Sequence, residues 1–102
     1  MTDKTKELFL SNIPTGQNNA ISMADLARRL GIPSRTVRAD ILSLRLDGCI
    51  IASCPSGYYI PADIGEELHF YLSHRKRAMT NLTALKATRR HLRDMGIDLR
   101  GR

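Results

Sequence analysis

The sequence lacks any apolar run of about 18 residues, the length that a membrane-spanning helix needs. Its first ten residues are mostly polar and charged, without the apolar stretch of a signal peptide. We therefore expect a cytoplasmic protein with no membrane partner. Cysteine is scarce, with Cys49 and Cys54 alone among 102 residues. Because thiols stay reduced in the cytoplasm, we expect no disulfide framework.

Motifs that carry catalysis are missing as well. There is no glycine-rich phosphate loop, no nucleophile elbow and no His-Glu-x-x-His pair. The two cysteines form a Cys-x4-Cys spacing without a second paired motif, which is a weak indication of zinc. His69 and His74 lie five residues apart, on different faces of a helix. We therefore expect no enzyme, no metal, no cofactor and no small-molecule substrate.

Acidic residues are absent from residues 73 to 93, and this absence sets the charge distribution. The formal net charge is +6. Residues 1–72 hold 7 Lys and Arg against 8 Asp and Glu, whereas residues 73–102 hold 9 against 2. The basic character therefore lies in the C-terminal third, which suggests a polyanionic partner.

Local signals predict the order of the elements. Ser22 with Asp25, and Asp63 with Glu66, have the spacing of capping boxes at helix starts, and Gly31 and Gly48 are typical helix stops. Either Ser34 or Pro33 caps the third helix. The predicted elements are a helix at 3–11, a turn-rich loop at 12–19, helices from the Ser22 cap to Leu30 and from about Arg35 to Asp47, strands at 49–53 and 58–60 around a turn at 54–57, and a helix from Asp63 to Gly96.

Packing explains the spacing of the second and third helices. Ala27 is small enough for a close crossing, Gly31 permits a sharp turn, and Ile32 fills the space between the helices. At 100° per residue, Val37, Ile41 and Leu44 form the buried stripe of the third helix. Leu42 and Leu46 lie off this stripe, and the sequence leaves open whether they pack under the hairpin or the C-terminal helix.

Three runs carry a resemblance to a known family: Leu26-Ala27-x-x-Leu30-Gly31-Ile32, Arg35-Thr36-Val37-Arg38-x-Asp40-Ile41, and Leu44 to Gly48 before a hairpin. They resemble bacterial winged helix-turn-helix proteins, especially the N-terminal domains of biotin-repressor and sugar-operon repressor proteins. The resemblance covers about residues 21–60. It implies an α+β, mainly helical fold with three helices, a short β-hairpin wing and a long C-terminal helix. The expected divisions are a winged domain at 1–61, a basic or dimerisation helix at 62–96 and a flexible tail at 97–102.

In such a fold the third helix enters the major groove of DNA. The residues on its far side and N-terminal end are then the candidates for contact with double-stranded DNA: Ser34, Arg35, Thr36, Arg38, Ala39 and Ser43. Arg28 and Ser56 are auxiliary candidates for phosphate contacts. The wing turn at 54–57 carries no Lys or Arg, which departs from the basic tip common in DNA-binding wings.

The predicted C-terminal helix starts apolar and becomes basic. Lys86, Arg89, Arg90 and Arg93 share one face, and the sequence leaves open whether they contact phosphates or only solvent. A calmodulin-like or membrane-surface role is a further alternative for a basic amphipathic helix. The apolar residues suggest a homodimer contact, with a helix folded back on its own domain as the alternative: Tyr71, Ala78, Leu82, Leu85 and Leu92.

These observations lead to one function and two alternatives. A lone small winged domain with a Gly57-Tyr58-Tyr59-x-Pro61 wing ending and a basic terminal helix is also similar to proteins of bacterial phages and mobile elements. The leading hypothesis is a sequence-specific DNA-binding protein, a transcription regulator of bacterial or phage origin. The first alternative is a winged helix that binds protein through Leu42, Leu46 and the terminal helix. The second is an architectural or replication-accessory protein that binds DNA through residues 86–93 without sequence preference.

Overall fold

A computed structural model describes residues 2–100. The chain divides into two compact units, one up to Phe70 and one from Tyr71 onward. The elements are α1 (Asp3–Ser11), a turn of 3-10 helix (Gln17–Asn19), α2 (Met23–Leu30), α3 (Ser34–Leu46), β1 (Ala52–Cys54), β2 (Gly57–Tyr59), α4 (Ile64–Ala84) and α5 (Lys86–Asp94). The predicted fold, a helix-turn-helix followed by a hairpin and a long C-terminal helix, is confirmed.

The helix starts follow their local signals, with one question now decided. Ser22 caps α2, and its Oγ accepts the Asp25 N–H at 3.1 Å. Asp63 precedes α4, and its Oδ1 accepts the Glu66 N–H at 2.8 Å. For α3, the cap position belongs to Pro33, with φ −64° and ψ 150°, and no side chain caps the helix. Ser34 is therefore the first helical residue of α3 and not its cap.

The core of the first unit lies between α1, α2, α3 and the segment before β1. Val37, Ile41 and Leu44 are buried, as the periodicity of α3 predicts. They pack in one cluster with residues from the other elements: Phe9, Ile13, Ile21, Leu26, Ala27 and Ile51. Burying each of the larger aliphatic side chains stabilises the fold by about 1.5–3 kcal/mol. This cluster fixes one face of α3 and leaves the opposite face at the surface.

The wing is shorter than predicted. The register pairs Ala52 with Tyr59 and Cys54 with Gly57, so the turn contains only Pro55 and Ser56. The predicted strands at 49–53 and 58–60 and the four-residue turn are therefore wrong by up to three residues at their ends. β-propensity favoured the apolar residues before Ala52, but strand bounds depend on backbone partners that the sequence does not reveal.

β2 has backbone partners on both sides, which the sequence did not indicate. Besides pairing with β1, Tyr58 exchanges two hydrogen bonds with Ile21, at 2.8 and 2.9 Å. Ile60 donates to the carbonyl of Pro14 and accepts from Gly16, both at 2.8 Å. The chain before α2 thus adds two short bridges to the hairpin.

The far end of the chain departs from the prediction of one helix up to Gly96. α4 ends at Ala84, and α5 begins at Lys86 after a break at Leu85. The Thr83 hydroxyl donates to the Met79 carbonyl at 3.0 Å, one turn before the break. Bonds of this kind compete with the helical ladder and bend helices, which supplies a local reason for the interruption.

Gly57 is the glycine whose replacement should cost most. Its φ is +134°, and a Cβ there would overlap the backbone of Ile21 and Ser22. We expect Gly57→Ala to lower the free energy of unfolding by about 3 kcal/mol or more, because rigid backbone must move. Gly31→Ala is the control, since φ is also positive but nothing lies within 4 Å of the added Cβ. Its cost should stay near 1–2 kcal/mol. Equal losses in urea denaturation would contradict this account.

Candidate nucleic-acid interface

The candidate interface is built on α2, the turn after it and α3. Gly31 has φ +68° and ψ +33°, the left-handed conformation that ends α2. The Ile32 N–H then bonds back to the Ala27 carbonyl at 3.1 Å, which closes the turn. α2 buries Leu26 and Ala27, and α3 buries the stripe that starts at Val37. The two helices are therefore locked together on their inner faces.

The outer face of α3 carries the predicted contact residues. Arg35, Arg38, Ala39 and Ser43 are exposed, whereas Ser34 and Thr36 are half-buried near the start of the helix. Four of the six predicted residues thus lie at the surface, and two lie at its edge. Arg can bond bidentately to guanine, Ala can contact a thymine methyl, and Ser suits phosphates or base edges.

The N-terminus of α3 adds a second kind of contact group. No side chain caps this helix, unlike α2, and the backbone bonds around Pro33 begin with the N–H groups of Thr36 and Val37. The N–H groups of the first helical residues point along the axis, where the helix dipole favours an anion. The start of α3 therefore suits a DNA phosphate.

The ion pairs of residues 2–100 leave the outer face of α3 positively charged. The salt bridges within that range are Arg28–Asp25 at 2.6 Å and Arg100–Asp98 at 3.4 Å. Arg35 belongs to neither pair. The predicted phosphate contact Arg28 is exposed but partly neutralised by Asp25. Arg29 on α2 and Arg35 and Arg38 on α3 are exposed and belong to neither pair, so they are better placed than Arg28 to meet an anion.

The wing offers little charge. Residues 46–74 contain no Lys or Arg, so neither strand carries a cation. Ser56, the predicted contact in the wing, is exposed within the two-residue turn. Tyr59 is buried, and burial raises the pKa of its hydroxyl above the ordinary value. Tyr58 is half-buried. Only the hydroxyl of Ser56 and the backbone of the turn are available for contacts at the wing tip.

Arg45 connects α3 to its neighbours, a role that sequence reasoning missed. Its Nε–H donates to the Ile51 carbonyl at 2.9 Å, and an Nη donates to the Ser53 hydroxyl at 3.4 Å. Its guanidinium carbon lies 5.3 Å from the centre of the Phe70 ring, a cation–π contact. Burial lowers the pKa of Arg45, opposed by Tyr58, yet arginine stays protonated. Its position off the buried stripe was the only signal in the sequence.

The segment that contains these features has a recognisable family. Residues 13–59 match the family model described as a helix-turn-helix domain. This segment is a helix-turn-helix domain. Comparisons with curated proteins and with solved structures give no match. Helix-turn-helix domains bind DNA and are typically not enzymes, so the match supports DNA binding and a regulatory role.

The remaining predicted residues lie beyond this domain, and the structure brings some of them together. In the second unit, Leu82, Leu85 and Leu92 line an open groove of about 1120 Å³. Tyr71 and Ala78 are exposed on α4. The four predicted phosphate contacts are exposed on α5: Lys86, Arg89, Arg90 and Arg93.

The two uncertain leucines of α3 are now placed. Leu42 and Leu46 are 57% and 79% exposed, so the wing does not cover them. They continue the outer face of α3 beyond Ala39, at helical spacings of three and four residues. The outer face of α3 therefore changes along its length from basic to apolar.

The contacts of Arg45 predict a stability difference between two arginines of the same helix. Arg45→Ala leaves the Ile51 carbonyl without its donor, so we expect a loss of about 1–3 kcal/mol in the free energy of unfolding. Arg35→Ala is the matched control, because this side chain is exposed, and it should change stability by less than about 0.5 kcal/mol. Urea denaturation followed by circular dichroism measures both, and a similar effect of the two variants would show that the Arg45 contacts contribute nothing.

Proposed function

We propose that the protein is a cytoplasmic transcription regulator that binds a specific sequence of duplex DNA through the outer face of α3. The observation that carries the proposal is the placement of Arg35 and Arg38 at the N-terminal half of that face, exposed and outside the ion pairs of residues 2–100. An α-helix fits the major groove, where bidentate arginine contacts distinguish guanine from the other bases.

The support for sequence reading comes mainly from α3, because the wing has no cation with which to enter a minor groove. The uncapped start of α3 would hold one phosphate and fix the register of the helix. Ala39 and Ser43 would then lie one and two turns farther along the groove. Discrimination between sequences should therefore depend on a few side chains of one helix.

Replacing both arginines tests the proposal. A duplex selected from a random pool would be compared with random duplex, and fluorescence anisotropy would give both dissociation constants. The measure of discrimination is the dissociation constant for random duplex divided by that for the selected duplex. We expect Arg35→Ala/Arg38→Ala to lower this ratio by at least about 30-fold, since each bidentate contact contributes roughly 1–3 kcal/mol of discrimination. The control Lys4→Ala/Lys6→Ala removes the same charge from α1 and should keep the ratio. A double variant of α3 with an unchanged ratio would refute base reading by these arginines.

We further propose that the protein acts as a homodimer through the apolar residues of the second unit: Tyr71, Ala78, Leu82, Leu85 and Leu92. Three observations support this. Tyr71, Leu82 and Leu85 are each more than half exposed, which costs free energy in a monomer. Tyr71 and Ala78 are seven residues apart on α4, the spacing of a helix–helix seam. A two-fold dimer would also match the symmetric half-sites that many helix-turn-helix proteins bind.

The break at Leu85 changes how this contact is built. The seven-residue series from Tyr71 to Leu92 runs over α4 and α5, so it is not one continuous coiled-coil seam. Leu82, Leu85 and Leu92 instead meet in the groove of the second unit. The dimer contact is therefore a stripe on α4 that continues into this groove.

A charge placed in the stripe tests the dimer. Leu82→Asp would bury a carboxylate in the contact, so we expect the molar mass measured by light scattering after gel filtration to fall from that of a dimer to that of a monomer. The control is the isosteric change Asn81→Asp at the neighbouring exposed position, which adds the same charge and should leave the dimer intact. A wild-type protein that is monomeric at tens of micromolar would count against the dimer.

A second candidate function is a protein-interaction module, and the exposure of Leu42 and Leu46 favours it. Apolar side chains at adjacent turns of one helix face are typical of an interface between proteins. The selected-duplex experiment separates the two candidates. A wild-type protein that prefers no duplex sequence, even at low salt, would leave the protein-interaction module as the better description.

A further inference from the structure

The strongest charged patch outside the helix-turn-helix domain lies on α5. Lys86, Arg89, Arg90 and Arg93 follow the spacing i, i+3, i+4 and i+7, so they share one face of the helix. All four are exposed. At 1.5 Å per residue this basic stripe is about 10 Å long, and one DNA strand places a phosphate every 3.4 Å along the helix axis over that distance.

Two carboxylates lie close to the basic stripe: Asp94 follows Arg90 by four residues on α5, and Asp98 lines the same groove as Lys86, Arg89 and Arg93. None of the four cations of the stripe belongs to a salt bridge of residues 2–100, and no Asp or Glu occurs from 73 to 93. Surface cations without partners usually face water, yet four on one face repel each other. That repulsion lowers the stability of α5 unless a polyanion compensates it.

Three cations of this stripe also line the groove of the second unit. The other lining residues include Leu82 and Leu92, which are apolar, and Asp98, which is acidic. Long cationic side chains commonly lay their methylene groups on apolar surface while the charged end stays in water. Stems held in this way lose less conformational freedom when the charged ends bind an anion.

Two other polyanionic partners fit the residues of α5 less well. A helix that lies on a membrane needs a broad apolar face opposite its basic face. The opposite side of α5 carries Thr88 and His91 instead, and Leu92 is the one large apolar residue in α5. An acidic protein surface would have to match four cations with spaced carboxylates, whereas DNA provides a continuous row of charges.

We propose that the basic stripe on α5 is a second DNA contact, which binds the phosphate backbone of duplex DNA without regard to sequence. This inference rests on the proposed DNA-binding function. The stripe adds affinity and salt dependence, and α3 supplies the discrimination between sequences. The two surfaces therefore affect different measured quantities.

The salt dependence of binding to random duplex tests the stripe. Each phosphate contact contributes about −0.9 to the slope of log Kobs against log salt. We expect Arg89→Gln/Arg93→Gln to make this slope less steep by about 1.8. When salt rises from 50 to 200 mM, the affinity of the variant should therefore fall about twelve-fold less than the affinity of the wild type. The ratio of selected to random duplex affinity should be unchanged. Because both arginines also line the groove assigned to the dimer contact, light scattering should give the variant the same molar mass as the wild type.

Two comparisons make the outcome decisive. Lys4→Gln/Lys6→Gln lowers the net charge by the same amount on α1 and should change the slope by much less than 1.8. Equal slopes for the wild type and the α5 variant, with sequence discrimination intact, would overturn the stripe while the proposed function stands. The DNA contact on α5 would also be overturned if Arg89→Gln/Arg93→Gln lost binding to phosphatidylserine vesicles but kept the wild-type binding to DNA. A wild-type protein that binds no duplex would refute both the DNA contact on α5 and the proposed function. Circular dichroism would check that the variants keep their helices.

Discussion

The backbone pair between Ile21 and Tyr58 is the constraint on which the rest of the first unit depends. Its two hydrogen bonds join the residue before the cap of α2 to the strand β2. Because Gly57 has no side chain, the strand can approach the backbone of Ile21 and Ser22 closely enough to make them. The pair therefore holds the residue before the start of α2 against the hairpin, and α2 in turn packs on α3.

Two polar side chains complete this framework from opposite ends. Glu66 accepts from the N–H groups of Ala62 at 2.9 Å and Gln17 at 3.2 Å, which joins the start of α4 to the loop before α2. Arg45 joins the other end of α3 to β1. α3 is thus held by apolar burial on its inner face and by hydrogen bonds at its C-terminal end. Its outer face makes none of these contacts, so its side chains stay accessible.

Sequence reasoning succeeded where a feature depends on residues within one turn of each other. The cap at Ser22, the stop at Gly31 and the buried stripe from Val37 are of this kind, and each was confirmed. Sequence reasoning failed where a feature depends on residues far apart in the chain, or where a side-chain hydroxyl competes with the backbone hydrogen bonds of a helix. The bridges to β2, the contacts of Arg45 and the break at Leu85 depend on tertiary geometry or on a single hydroxyl. The assignment of contacts to DNA and to a second copy stays a prediction.

The hydrogen bond between Gln17 and Glu66 also determines which segment could be transplanted into another protein. Glu66 and Gln17 are 49 residues apart in sequence, and the whole helix-turn-helix lies inside the loop that their bond closes. Such distant contacts make folding cooperative and slow compared with a local helical hairpin. A graft of α2 and α3 alone onto another protein would lack the hydrogen bond between Gln17 and Glu66. A transplantable module must therefore extend from the loop after α1 through the start of α4.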